Sequence, residues 1–447
     1  MFSKILIANR GEIAVRIIRA CKEMGISTVA LFSDADREAL HVSLADESIC
    51  IGPARPKDSY LNINAILSAA VACKAQAIHP GYGLLSENPR FARACAECGI
   101  AFIGPDADVI ARMGDKDEAR RTMREAGVPV IPGSGVVASV KEGLKEAERI
   151  GYPVLLKARS GGGGRGIRLV NSEKDLERVF PTAQSEALCA FGDGALYIEK
   201  YLYPVKHVEV QLLCDNFGAA VALGERDCSV QRKNQKLIEE SPCRALTPKK
   251  RKELFEFAKK AAKAVGYRNA GTVEFLMDDG GNFYFMEMNT RLQVEHTVTE
   301  MVTGVDIVKW QIRIASGLPL DFKQEDISTD GCCAIECRIN AETREGLPSC
   351  GAVTLLHVPG GPNVRFDTAL YQNYAIPPFY DSMIGKLVVC AKTREEAIRK
   401  MNAALCELVI EGVEINREQQ MEILASPEFE DGTYKTDLCK KLFGCSR

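Results

Sequence analysis

Histidine is scarce in this chain, with five residues dispersed over 447 positions. A histidine-based metal centre is therefore not expected, and no Ser/His/Asp triad can be nominated without inventing proximity. An excess of either charge is also missing. Lys and Arg total 57 against 60 Asp and Glu, a formal net charge of -3, so electrostatics give no case for a nucleic-acid partner. No apolar run is long enough to span a bilayer. The start, MFSKILIANRGE, returns to charge at Arg10 and Glu12, too early for a secretory signal. Repeats and low-complexity tracts are absent. Cysteine is plentiful at 17, but the count is odd and the spacing gives no disulfide framework. The Cys95–Cys98 CxxC lacks a second pair at zinc spacing, so both read as structural thiols. A cytoplasmic protein with no membrane contact is expected, and its length implies two or three domains.

The first quarter alternates strand and helix patterns. KILIA (4–8) is a short apolar run. Ile13, Ile17, Ala20, Cys21 and Met24 recur at helical spacing, and TVALF (28–32) is β-rich. Continued toward AQAIHPG and AFIGP, this predicts a parallel sheet covered by helices over residues 1–113. HPGYGLLSE (79–87) misses the dinucleotide fingerprint because Ser86 stands where the third glycine belongs, and reads as a loop after a strand. A second block, 114–317, carries YPVLLKA and the glycine run SGGGGRG, then strand-like segments, a long helical stretch LTPKKRKELFEFAKKAAKAVG, and a hairpin candidate. A third, β-rich block spans 331–447 and ends in helices.

Lys157 and Gly161 to Gly164 suit a loop whose backbone amides approach phosphate. No GK[ST] follows, so this is not a Walker A motif. The hairpin candidate, TVEFLMDDGGNFYFMEMN, turns between Gly280 and Gly281. If it is symmetric, Glu274 lies directly opposite Glu287, and Asn289 points the same way. Two opposed carboxylates repel unless a cation joins them. With an amide oxygen they form a hard oxygen set suited to magnesium that also holds phosphate. Glu287, Asn289, Arg291, Gln293 and Glu295 occupy alternate positions. An extended segment would therefore carry metal ligands, a guanidinium, an amide and a third carboxylate on one face.

Together these segments resemble the biotin carboxylases of the ATP-grasp superfamily along essentially the whole chain. The resemblance rests on KILIANRGEIAVRIIRA, AIHPGYGLLSEN, GYPVLLKA with SGGGGRG, HVEVQ, ERDCSVQRKNQKLIEE, GTVEFL, EMNTRLQVEHTVTE, ECRINAE and PPFYDSMIGKL. It implies an α/β ATP-grasp fold with an N-terminal Rossmann-like domain, a glycine-loop lid at roughly 131–203 and a C-terminal biotin carboxylase domain. It also implies ATP-dependent carboxylation of biotin by bicarbonate through carboxyphosphate. Lys116, Lys157 and the loop with Gly162, Gly163 and Gly164 would meet phosphates. Glu199, Lys200, Leu202 and Leu276 would surround adenine, and His207, Gln231 and Asn234 would approach the ribose. Glu274, Glu287 and Asn289 would hold two Mg2+ or Mn2+ ions. Lys236, Arg291, Gln293 and Val294 would hold bicarbonate, and Glu295 would deprotonate it. Arg338 would stabilise the biotin ureido oxyanion, with Tyr82 lining the biotin site.

The family often has histidine where this chain has Asn234, and an interface phenylalanine where it has Pro362. Arg19, Glu23 and Arg365 match homodimer positions. No Met-Lys-Met biotin-acceptor motif occurs, so the resemblance implies a separate biotin carboxyl carrier protein and carboxyltransferase. Acetyl-CoA carboxylase in fatty-acid synthesis is the expected setting, with a propionyl-CoA or pyruvate carboxylase system as the alternative. A carboxylate–amine ATP-grasp ligase would share the nucleotide residues, but Arg338 and RLQVEH favour biotin and bicarbonate. A non-catalytic paralogue would be expected to lack Glu295, Lys236 or a metal glutamate.

Overall fold

A computed structural model describes residues 1–159 and 166–444. The first region is a five-stranded sheet in the spatial order Glu47–Cys50, Ser27–Phe32, Lys4–Ile7, Ala77–His79, Ala101–Phe102. Every pairing in it is parallel. Ile5, Leu6 and Ile7 are all buried, as helices on both faces require of a central parallel strand. The strand order reverses beside Lys4–Ile7, which opens a crevice at the carboxyl ends of the strands. The HPGYGLLSE loop leaves from this point. Asn9 Nδ2 donates to Pro80 O at 2.7 Å and Tyr82 O at 2.8 Å. Gly81, at φ +62°, leaves room for that amide, since a Cβ would sit 3.0 Å from Asn9 Nδ2.

The second and third blocks share one eight-stranded sheet. Its order is Phe283–Asn289, Asn269–Met277, Lys206–Cys214, Ala220–Arg232, Gln235–Ser241, Cys333–Asn340, Met383–Ala391, Val364–Thr368. The join is the antiparallel pairing of Gln235–Ser241 with Cys333–Asn340, which sets Ile238 opposite Cys337. Two stretches that look separate along the chain thus satisfy each other's strand edges. Helix Pro248–Val265 covers one face. Thr247 caps it by accepting from Lys250 N, proline occupies its first turn, and Gly266 ends it at φ 65°. Its buried residues Leu254, Ala258, Ala261, Ala262 and Val265 follow helical periodicity. They pack on Val208, Val210, Leu212, Val273 and Phe275 of the sheet.

A smaller antiparallel sheet, ordered Gly133–Val137, Leu196–Lys200, Val154–Ala158, Ile167–Val170, packs on helices Val140–Ile150 and Glu173–Phe191. The glycine run lies outside the described residues. A disulfide joins Cys332 to Cys390, and the other described cysteines form no disulfide. Cys95 is buried in helix Pro89–Glu97, and Cys98 follows its end, exposed. No helix among the described residues is long and apolar enough to cross a membrane.

Candidate active site

Strand Lys206–Cys214 is buried throughout, yet polar residues recur at alternate positions. Its apolar alternates face helix Pro248–Val265, so His207, Glu209 and Gln211 share the opposite face. Strand register then builds a row across the sheet. Arg226 lies opposite Glu209, Glu209 opposite Glu274, and Glu274 opposite Glu287. Thr272 lies opposite Asn289. The predicted Glu274–Glu287 opposition is therefore found, and a bulge just beyond it adjusts the hairpin toward its turn.

Three carboxylates side by side need compensation, and two cations enter the row. Arg226, fully buried, donates Nε to Glu209 Oε1 at 2.5 Å and Nη2 to Gln293 Oε1 at 2.6 Å. Lys236 reaches in from strand Gln235–Ser241. Its ammonium lies 2.6 Å from Glu209, 2.9 Å from Glu274 and 2.6 Å from Glu295. Burial opposes charge on Lys236, but these three carboxylates outweigh it and hold its pKa well above the ordinary value. Burial likewise opposes charge on Glu274, yet Lys236 and His207 hold its carboxyl far below the usual range. His207 Nδ1 accepts from Gln231 Nε2 at 2.7 Å, and Nε2 lies 2.7 Å from Glu274 Oε2. The pair assigned to ribose is thus tied into the carboxylate row.

Glu287 differs. It makes no ion pair among the described residues, and its pKa is raised by burial and then by the charge of Glu274. The charge of Lys116, exposed at the first position of helix Lys116–Glu125, acts in the other direction. A half-buried carboxylate facing the buried Glu274, with an amide beside them, fits a divalent cation. Asn289 Nδ2 donates to Glu274 Oε1 at 2.7 Å, and its Oδ1 accepts from Arg291 at 3.0 Å. His207, Glu209 and Glu274 also bring ligand atoms within 4.8 Å of one another, but Lys236 and Arg226 already compensate that group.

The expected extended face beyond the hairpin is corrected by the structure. The strand ends at Asn289, and helix His296–Thr303 begins one residue after Glu295. Glu87, at the end of the HPGYGLLSE loop, accepts from Thr290 N at 3.0 Å and Arg291 Nε at 2.9 Å, which draws the chain into a turn. The polar residues converge all the same. Gln293 Nε2 donates to Glu274 Oε1 at 2.6 Å. Glu295 accepts from Lys236 and, at 2.9 Å, from Arg338 Nη2. Arg338 also donates Nε to Glu239 Oε1 at 2.7 Å. Burial raises the Glu295 carboxyl, but Lys236 and Arg338 bring it below the ordinary value. Burial pushes Glu239 up to about 7 despite Arg338.

The remaining residues divide between this centre and the small sheet. Lys157 pairs with Glu199, which also takes Arg120. Lys200 faces elsewhere, donating to Gly151 O at 2.9 Å and Tyr152 O at 3.2 Å. Leu202 and Leu276 are half-buried. Asn234 and Lys233, at φ 64° and 51°, form the exposed tip between strands Ala220–Arg232 and Gln235–Ser241. Val294 O accepts from Lys386 Nζ at 2.9 Å, and the Tyr82 hydroxyl donates to Glu12. Gly162, Gly163 and Gly164 fall outside the described residues. Sequence reasoning missed Glu209, Arg226, Glu239, Glu87 and Lys386. Glu209 had a signal, since HVEVQ alternates polar and apolar residues in a strand too apolar to be exposed.

A carboxylate row fit for cations, a lysine among three glutamates, and a smaller sheet bearing a glycine run define the class: an ATP-grasp ligase. Comparison with known proteins narrows it. The family described as "Biotin carboxylase, N-terminal domain" matches residues 1–110, "Carbamoyl-phosphate synthase L chain, ATP binding domain" matches 115–323, and "Biotin carboxylase C-terminal domain" matches 336–441. Biotin carboxylase 1 of Bacillus subtilis is 54% identical over 98% of both chains, and the biotin carboxylase of Haemophilus influenzae 53% over 99% of both. The solved biotin carboxylase of Campylobacter jejuni superposes with a TM-score of 0.93 at 51% identity, covering 99% of each chain. The chain belongs to the biotin carboxylase family. Its activity is the ATP-dependent carboxylation of biotin with bicarbonate.

Proposed function

We propose that Lys236 and Glu295 form the centre of the bicarbonate site, with Glu295 as the base and Lys236, Arg291, Gln293 and Val294 as the anion's holders. The observation that carries this reading is the position of Lys236, whose one ammonium touches both Glu274 of the carboxylate row and Glu295 of the turn. An anion entering there meets a fixed cation beside a base. Glu274, Glu287 and Asn289 would hold two magnesium or manganese ions, which would supply positive charge to the transferring phosphoryl group. Lys116, Lys157 and the Gly162–Gly164 loop engage phosphates. Glu199 and Leu202 line the adenine pocket with Leu276 beneath it, and Lys200 lies nearby with its side chain turned to the Gly151 and Tyr152 carbonyls. His207, Gln231 and Asn234 approach the ribose.

The charges on Glu295 give the base a control. Lys236 and Arg338 both lower its proton affinity. Drawing Lys236 toward bicarbonate, or Arg338 toward the biotin ureido oxygen, weakens that restraint and strengthens the base. Bicarbonate then attacks the γ-phosphate, giving carboxyphosphate and ADP. Carboxyphosphate yields CO₂ and phosphate, the phosphate takes the biotin N1 proton, and the N1 anion attacks CO₂ to form carboxybiotin. Arg338 keeps its charge at any working pH and steadies the ureido oxyanion. Tyr82 forms part of the biotin wall.

Biotin arrives on a carrier protein, and a carboxyltransferase passes the carboxyl group to acetyl-CoA, in a cytoplasmic enzyme whose carboxylase subunit is a homodimer. A homologous domain of the Hydrogenobacter thermophilus 2-oxoglutarate carboxylase, solved as a dimer with MgADP, ADP and bicarbonate, supports the cofactor and dimer readings. The test is ATP hydrolysis with free biotin, with and without bicarbonate, and carboxybiotin detected by mass. Bicarbonate-dependent hydrolysis with carboxybiotin is expected. Glu295→Gln is expected to bind ATP normally and lose turnover, and full turnover in that variant would remove Glu295 from the role of base.

A further inference from the structure

Lys386 lies on strand Met383–Ala391 and is fully buried, yet the reaction as derived gives it no part. Its ammonium donates to Val294 O at 2.9 Å and lies 3.2 Å from Glu12 Oε1. It also lies 5.8 Å from the centroid of the Tyr82 ring. Glu12, in the first turn of helix Gly11–Glu23, accepts a hydrogen bond from the Tyr82 hydroxyl on the same oxygen. A buried lysine is costly, and a buried ion pair alone is weak evidence of a stabilising purpose. What distinguishes this lysine is its target, the carbonyl of the peptide that joins Val294 to Glu295.

The turn over residues 290–295 follows a strand end and precedes a helix, so the sheet does not hold its backbone. Glu87, from the N-terminal region, holds its beginning through Thr290 and Arg291. Lys386, from the C-terminal region, holds its end. We propose that Lys386 is a positioning residue for biotin carboxylation: through the Val294 carbonyl it places Gln293, Val294 and Glu295 around bicarbonate, with Glu12 as its counter-charge. This rests on the assignment of those three residues to bicarbonate. Because Glu12 also holds Tyr82, one carboxylate links the bicarbonate turn to the biotin wall.

Displacing a reacting group by about 1 Å costs about 100-fold in rate. Lys386→Met is therefore expected to lower kcat/KM for bicarbonate by about 100-fold. KM for ATP should stay within about twofold, because the nucleotide residues lie on other elements. Lys386→Gln keeps a donor for the Val294 carbonyl and is expected to recover part of the loss. Glu12→Gln should shift the same parameter by about 10-fold, having loosened the lysine without removing it. ADP affinity, measured by calorimetry on each variant, reports whether the nucleotide site is intact. If Lys386→Met does not fold, Lys386→Gln and Glu12→Gln show the same split between bicarbonate and ATP. The positioning role is overturned if bicarbonate kinetics stay at the wild-type level, or if ATP and bicarbonate parameters fall together with no recovery in Lys386→Gln. Failure of the underlying assignment is visible separately, as wild-type hydrolysis that ignores bicarbonate.

Discussion

The eight-stranded and four-stranded antiparallel sheets each hold a lysine against glutamate, and they do so differently. In the eight-stranded sheet, register fixes the row Arg226, Glu209, Glu274, Glu287, and Lys236 enters among side chains that are almost wholly buried. In the four-stranded sheet, Lys157 meets one carboxylate, Glu199, which Arg120 reaches from helix Lys116–Glu125. Lys157 keeps 20% of its side-chain surface exposed. The first arrangement is a fixed electrostatic frame, because moving Arg226 or Lys236 leaves buried carboxylates short of a counter-charge. The second leaves room for exchange: on the proposed phosphate role of Lys157, an anion would take the place of Glu199 while Arg120 keeps Glu199 compensated.

The sharpest test of this difference is to remove each lysine's charge. Lys236→Gln should lower bicarbonate-dependent turnover by about 1,000-fold, the loss expected when a preorganised cation leaves a charged transition state. Lys157→Gln should lose less, about 10- to 100-fold, and should lose it mainly through KM for ATP. Steady-state kinetics on both variants decide the matter. A larger loss in Lys157→Gln would reverse the contrast.

Stability gives a second contrast of smaller size. Arg226→Met leaves Glu209 without its 2.5 Å partner and Gln293 without its donor, all in buried surroundings. It should cost about 3–5 kcal/mol in chemical denaturation. Lys157→Met should cost no more than about 1 kcal/mol, since its pair is partly solvated and Arg120 remains. Equal costs would mean that the small sheet is as rigidly compensated as the large one.

The same contrast explains which parts were legible. The turn DDGGN made the hairpin legible, but near the turn its strands pair about Gly280, with Met277 opposite Phe283, and Glu274 meets Glu287 because the bulge beside Glu274 takes up one residue. Helix Pro248–Val265 carried its own cap, proline and terminal glycine. The convergence on Lys236 came from the family resemblance and could not be read from spacing, because Glu295 lies 59 residues from it and Arg338 lies 43 from Glu295. Only the sheet order joins them. Alternation misled beyond Asn289, because Glu87, some two hundred residues earlier in the chain, pulls the backbone out of strand geometry. The blocks on either side of residues 317–331 likewise looked independent, since edge pairing leaves no local mark.

Asn234 tests the smallest difference between frame and ligand. The tip of its hairpin needs two consecutive residues at positive φ, which is the geometry of a type I′ turn, and asparagine tolerates it better than most residues. The backbone therefore gives a reason for asparagine here that is independent of nucleotide. Asn234→Gly keeps the turn and removes the amide, so denaturation should move by no more than about 0.5 kcal/mol. If the side chain serves the turn alone, KM for ATP in this variant should stay within about threefold of wild type. A rise of about tenfold with unchanged stability would instead give the amide a ribose contact worth about 1.4 kcal/mol. Either value fixes whether this hairpin tip of the eight-stranded sheet belongs to its rigid frame or to the nucleotide.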